Sequence, residues 1–130
     1  MKHVRALAAE PPRLAQYRAT YPAEEQRPAN EAAATWDGFK SDVPAYQELL
    51  AKLAEAQQGL CIYCEQRLVD GAAKLVPNDY QVEHVQAKSG AIGGVLDWHN
   101  LALACGGGTY RHHRDSSRVY TNALNTSCGQ

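Results

Sequence analysis

The four cysteines constrain this chain more than any other feature. Cys61-Ile62-Tyr63-Cys64 puts two thiols on one tight turn, and Cys105 and Cys128 follow. Thiolates at this spacing reach a single metal because the turn points both sulfurs inward, and zinc prefers four such ligands in a closed tetrahedral site. Cys105 and Cys128 complete a four-cysteine set, although twenty-two residues separate them where a second C-x-x-C would be usual. His112 or His113 can replace one thiol, but both read as ordinary surface histidines. A redox C-x-x-C would open a helix after a strand in a βαβ pattern. Here the pair follows a helical stretch and Gly59, with no βαβ unit behind it. Two disulfides in a secreted domain are disfavoured as well. Met1–Glu10 lacks the apolar core of a secretory signal, and no apolar run approaches the ~20 residues that span a bilayer. A cytoplasmic chain with no membrane contact is expected, where thiols stay reduced and metal binding is favoured.

Between the cysteines lie Gln81-Val82-Glu83-His84-Val85 and Trp98-His99-Asn100-Leu101. Cleaving a phosphodiester needs an activated water and neutralisation of the leaving oxygen. A histidine is a suitable general base at neutral pH, and a carboxylate such as Glu83 suits a hard cation such as Mg²⁺. Neighbouring residues on a strand point to opposite faces, so the strand must bend or end here if Glu83 and His84 are to line one site. Asn100, sixteen residues after His84, can hydrogen-bond loop backbone and hold a bent loop. Taken alone, a Glu-His pair on a strand edge is usually plain surface.

The chain has 130 residues, enough for one domain with an arm. Residues 1–30 carry Pro11, Pro12, Pro22 and Pro28 and read as an extended arm for docking on a partner, with a short helix around Pro12 to Thr20. Leu7, Leu14, Tyr17 and Tyr21 are too sparse to form a core of their own. Residues 31–130 form the domain proper. Glu31 to Phe39 is a turn or two of helix that packs Trp36 inward. Ser41 is the expected N-cap of a core helix, with Pro44 in its first turn. Tyr46, Leu49, Leu50, Leu53 and Ala54 recur at helical spacing and mark its buried face, and Gly59 ends it. Leu60–Leu68 reads as the cysteine turn with a strand on each side, Asp70–Asp79 as a loop. Tyr80–Val85 and Trp98–Ala104 have strand character, and Gly106–Asn125 is irregular and polar. The net charge of −1 argues against tight non-specific nucleic-acid binding by the chain alone, since such binding rests on neutralising phosphates.

Taken together, Cys61-x-x-Cys64-Glu65, Val82-Glu83-His84, Lys88, Trp98-x-Asn100-Leu101 and Cys105 resemble the HNH endonuclease superfamily. More narrowly, they look like the HNH subunit of the Septu anti-phage system and related retron-associated effectors. The resemblance covers Gly59 to Cys128 clearly and the arm only loosely. It implies an α+β fold: a small ββα-metal core with structural zinc on Cys61, Cys64, Cys105 and Cys128, preceded by the arm and the core helix. It implies His84 as general base, Glu83 as the ligand of a catalytic Mg²⁺ or Mn²⁺, Asn100 as the residue orienting the loop, and Lys88 against phosphate. The implied partners are an ABC- or SMC-like ATPase subunit, DNA as substrate and, for retron members, a reverse transcriptase with its nucleic acid. Two departures stand out. The family's His-Phe-x-Pro-Lys is here His84-Val85-Gln86-Ala87-Lys88, which removes no expected catalytic group. Its helix would begin near Cys128, close to the last residue, Gln130, so a shortened helix is expected. The competing expectation is an inactive, zinc-stabilised binding module that docks on an ATPase.

Overall fold

A computed structural model describes residues 7–85 and 94–106. Lys88, His112, His113, Cys128 and the expected C-terminal helix lie outside the described residues. Three helices come first: α1 (Pro12–Thr20), α2 (Ala32–Ser41) and α3 (Val43–Ala56). Two strands follow, β1 (Tyr80–His84) and β2 (Leu101–Cys105). They pair antiparallel, from Tyr80 opposite Cys105 to His84 opposite Leu101. The result is a mixed fold, helices plus a two-stranded sheet. No described helix is long and apolar enough to cross a membrane.

Helix α3 is the spine. Its buried stripe is Ala45, Leu49, Leu50 and Leu53, which is the periodicity that names one face of a helix. Tyr46 and Ala54 pack at the edge of that stripe. Its cap is Asp42, not the expected Ser41: the Asp42 carboxylate accepts from the Ala45 N–H at 3.3 Å, satisfying a free donor of the first turn. Ser41 instead closes α2, its hydroxyl donating to the Gly38 carbonyl at 2.6 Å. The other end of α3 is a Schellman motif. Gly59 N–H reaches back to the Ala54 carbonyl at 2.8 Å and Gln58 N–H to that of Glu55 at 3.2 Å. Gln58 takes the left-handed conformation (φ 56°) and Gly59 follows it (φ 74°). A Cβ on Gly59 would also lie 2.7 Å from Val69 Cγ2, so both backbone and space require glycine there.

The segment expected to be an extended arm is folded onto this spine. Leu14 and Tyr17, three residues apart on α1, are both buried, and α1 packs against α3. The Glu48 carboxylate of α3 accepts from the Arg13 backbone N–H at 2.8 Å, which satisfies one of the free donors at the start of α1. Two apolar residues that cannot make a core of their own suffice when a preformed apolar face is beside them. The rings of Tyr17 and Phe39 meet edge-on at 5.2 Å, and Phe39 lies 5.6 Å from Trp36. Trp36 points inward as the sequence implies.

The strands expected on either side of the cysteine turn reduce to isolated bridges, Leu60 with Arg67 and Val69 with Leu75. Besides core packing, one side chain hydrogen-bonds both this turn and β2 to the end of α3. Gln57, fully buried, donates to the carbonyls of Leu60 (2.8 Å) and Leu103 (2.9 Å) and accepts from the Leu103 N–H at 2.8 Å. Its amide therefore behaves as one more peptide unit of the sheet, set at the end of a helix.

Candidate metal and active site

The cysteine turn is built by backbone hydrogen bonds before any ligand is considered. Cys61 N–H donates to the Gln66 carbonyl (2.8 Å), and Glu65 N–H to the Cys61 carbonyl (3.0 Å). Glu65 takes the left-handed conformation that closes so tight a turn. Ile62 N–H donates to the Leu103 carbonyl at 3.0 Å, which pins the turn to β2. Cys105, the last residue of β2, is thereby brought under the turn. The sulfurs of Cys61, Cys64 and Cys105 all lie within 4.8 Å of one another.

This arrangement fits a tetrahedral metal. Bonds of about 2.3 Å at tetrahedral angles set sulfurs about 3.8 Å apart; the Cys64 and Cys105 sulfurs are 3.8 Å apart. That is far beyond a disulfide bond. Cys61 Sγ accepts from the Tyr63 N–H at 3.4 Å and the Cys105 N–H at 3.3 Å, leaving sulfur lone pairs for a cation. The thiols of Cys105 and then Cys64 hold the Cys61 pKa far below its ordinary value, and burial, which opposes this, does not prevail. A thiolate is the species that binds metal. Three sulfurs this close can hold one ion, and the exposed Cys64 marks the side open to a fourth ligand. Cys128, expected in that role, lies outside the described residues.

At the far end of the same hairpin sit His84 and Asn100. His84 is 8% exposed, and its Nε2 is 3.1 Å from the Val95 carbonyl oxygen. A carbonyl only accepts, so Nε2 carries the proton and, in the neutral ring, Nδ1 carries the lone pair. Asn100 braces the segment that brings Val95 there. Its side-chain N–H donates to the Gly94 carbonyl at 3.4 Å, and its own carbonyl accepts from Val85 N–H at 2.9 Å. The structure therefore brings His84 and Asn100 to one end of the hairpin.

Glu83 is placed differently from what a shared site most simply needs. The ladder stays in register through Glu83 opposite Ala102 and His84 opposite Leu101, and the bend comes at Val85. By strand alternation the Glu83 and His84 side chains leave on opposite faces, His84 toward α2. The strand does end there, as required, but one residue later than a shared face would need. Lys88 lies outside the described residues.

Three contributors went unread in the sequence. Trp36 meets the His84 ring edge-on at 4.7 Å, Val95 supplies the carbonyl, and His99 stands beside the site. His99 stacks on Trp98 at 3.8 Å and pairs with Asp97 through Nδ1 at 3.0 Å. Only His99 left a signal, as the variable position inside Trp98-x-Asn100. A backbone carbonyl and a tryptophan from another element leave none.

Over 81 residues the chain is 35% identical to the Retron Ec83 putative HNH endonuclease of Escherichia coli, a match covering 58% of this chain and 30% of that protein. The chain thus spans less than a third of that relative's length. No family model matches the chain, and no solved structure matches it.

Proposed function

We propose that this chain is a metal-dependent HNH nuclease, hydrolysing DNA phosphodiester bonds as part of a cytoplasmic anti-phage defence complex. His84 carries the reading. It is an imidazole fixed by a carbonyl on Nε2, so that in its neutral form Nδ1 can take a proton. In this reading His84 Nδ1 removes a proton from water, and the resulting hydroxide forms the new P–O bond as the bond to the leaving oxygen breaks. A divalent ion, Mg²⁺ or Mn²⁺ on Glu83, would neutralise charge on the leaving oxygen. The reading requires a phosphate at the end of β1 that both side chains approach, although they leave on opposite faces. Asn100 keeps the Gly94–Asn100 segment in place, and Lys88 is proposed to contact phosphate. Zinc on Cys61, Cys64 and Cys105, with Cys128 as fourth ligand, would hold the other end of the hairpin.

The likeness to a protein named as a retron HNH endonuclease supports both the reaction and the defence setting. An ABC- or SMC-like ATPase, as in Septu, is the proposed carrier, and the net charge of −1 fits a nuclease that borrows affinity from a partner. A retron reverse transcriptase with its nucleic acid is the further partner this implies. The test is nicking of supercoiled plasmid with Mg²⁺ or Mn²⁺. His84→Ala is expected to fold as the parent does and to lose at least about a hundredfold in rate, the upper range of a general base being larger. The divergence of Glu83 and His84 favours one second reading, an inactive zinc-stabilised module that docks on an ATPase. Equal nicking by parent and His84→Ala, at the level of a blank, would select it.

A further inference from the structure

We propose that Trp36 of α2 is a positioning residue for the His84 imidazole, so that the helical layer is a working part of the site. This rests on the reading of His84 as general base. The two rings meet at 4.7 Å and 87°, and both are buried. The Val95 carbonyl holds Nε2, and the second torsion of histidine is broad. A perpendicular indole packed against the ring narrows that torsion from a second side. Trp36 is itself held: Phe39 lies 5.6 Å from it and Tyr46 meets it edge-on at 6.1 Å. Helix α2 also packs on the Gly94–Leu96 turn, so the indole and the Val95 carbonyl form one unit around the imidazole. The consequence is a single ring orientation, with the Nδ1 lone pair always presented the same way. Trp36 and His84 lie forty-eight positions apart, and no sequence motif joins them.

The test compares Trp36→Leu, Trp36→Phe and Leu14→Ala in the full chain. Leu14 is buried on α1, so Leu14→Ala controls for loss of core packing. All are assayed by plasmid nicking with Mn²⁺, at a temperature where each is folded. Trp36→Leu is expected to lower kcat by about ten- to a hundredfold with KM little changed, as a misplaced reacting group does. Trp36→Phe recovers most of that loss, and Leu14→Ala keeps the parental kcat. Long-range ¹H–¹⁵N correlation of metal-free protein is expected to show His84 protonated on Nε2 in the parent and a mixture of tautomers in Trp36→Leu. A parental kcat and an unchanged tautomer in Trp36→Leu would overturn the proposal, as would an equal loss of kcat in Leu14→Ala. Should the parent and His84→Ala nick alike, the general-base reading falls. The tautomer measurement then still decides whether Trp36 fixes the ring.

Discussion

Helices α1–α3 share a core of Leu14, Phe39, Leu49 and Leu53, all fully buried. The cysteine turn and the β1–β2 hairpin lend Leu68, Leu101 and Leu103 to that same core, but they meet one another around three sulfurs and a run of backbone hydrogen bonds. The first region is held by apolar area, which is additive and forgiving of detail. A two-stranded sheet is marginal in water by itself. The second region therefore depends on its sulfur cluster, on Gln57 and on the helical layer beneath it. A hairpin built this way can be rigid at both ends, one end at the sulfurs and the other at His84, with little core of its own.

The widest gap between the regions should come from removing metal. Zinc-finger peptides draw about 10–16 kcal/mol from their metal. A strong chelator should thus open the hairpin while leaving the helices largely formed. Amide exchange of Glu83 and Ala102, which face one another in the ladder, should accelerate by orders of magnitude while that of Leu49 and Leu53 holds. Unchanged exchange in both strands would contradict a structural metal.

Next in size is the joint between the regions. Gln57→Ala leaves the Leu103 N–H and the Leu60 carbonyl without this partner, while the Leu103 carbonyl keeps the Ile62 N–H. The loss should be about 3 kcal/mol, given the cost of leaving buried groups unpaired. Denaturant unfolding measures it, and a shift below about 1 kcal/mol would show that the joint is dispensable.

Within the helical region the effects are smaller. Asp42→Ala should cost about 1 kcal/mol, the usual value of an N-cap, and Ser41→Ala well under half as much. The reverse order would restore Ser41 as the cap of α3.

The smallest effect concerns pH. Burial raises the pKa of Tyr46, with a further push from Tyr80, and burial alone raises that of Tyr80. Above the ordinary value of 10.0 the unfolded chain loses these phenolic protons before the folded one does. Stability is therefore intact below that pH and falls as pH rises through the raised values. Tyr46→Phe with Tyr80→Phe should flatten the alkaline limb of a melting-temperature profile; an unchanged slope would assign it to other groups.

Much of this organisation is local and was legible before folding was considered. The stripe Leu49, Leu50 and Leu53 marks α3 because helical period is a property of consecutive residues. Tyr80–Val85 likewise declares itself as a strand, and Trp98–Ala104 does so from Leu101 onward; Trp98–Asn100 is instead one turn of 3-10 helix capped by the Asp97 carboxylate. Cys61 and Cys64 point to metal because a tight turn leaves few other uses for such a pair. Sequence is ambiguous where neighbours compete for one role. Ser41 and Asp42 are both good caps, and the choice fell to whichever carboxylate or hydroxyl met Ala45 N–H.

Sequence alone thus determined the helical spine, the two strands, the paired thiols and the motif containing His84 and Asn100, since each rests on spacings of a few residues. Tertiary structure decided the rest. It laid the short helix expected at Pro12–Thr20 against α3, where Leu14 gains its burial, and it placed Cys105 beneath Cys61 and Cys64. It also set Trp36 against His84 and sent Glu83 to the other face. These relations join residues tens of positions apart, and only the packing of whole elements fixes such distances.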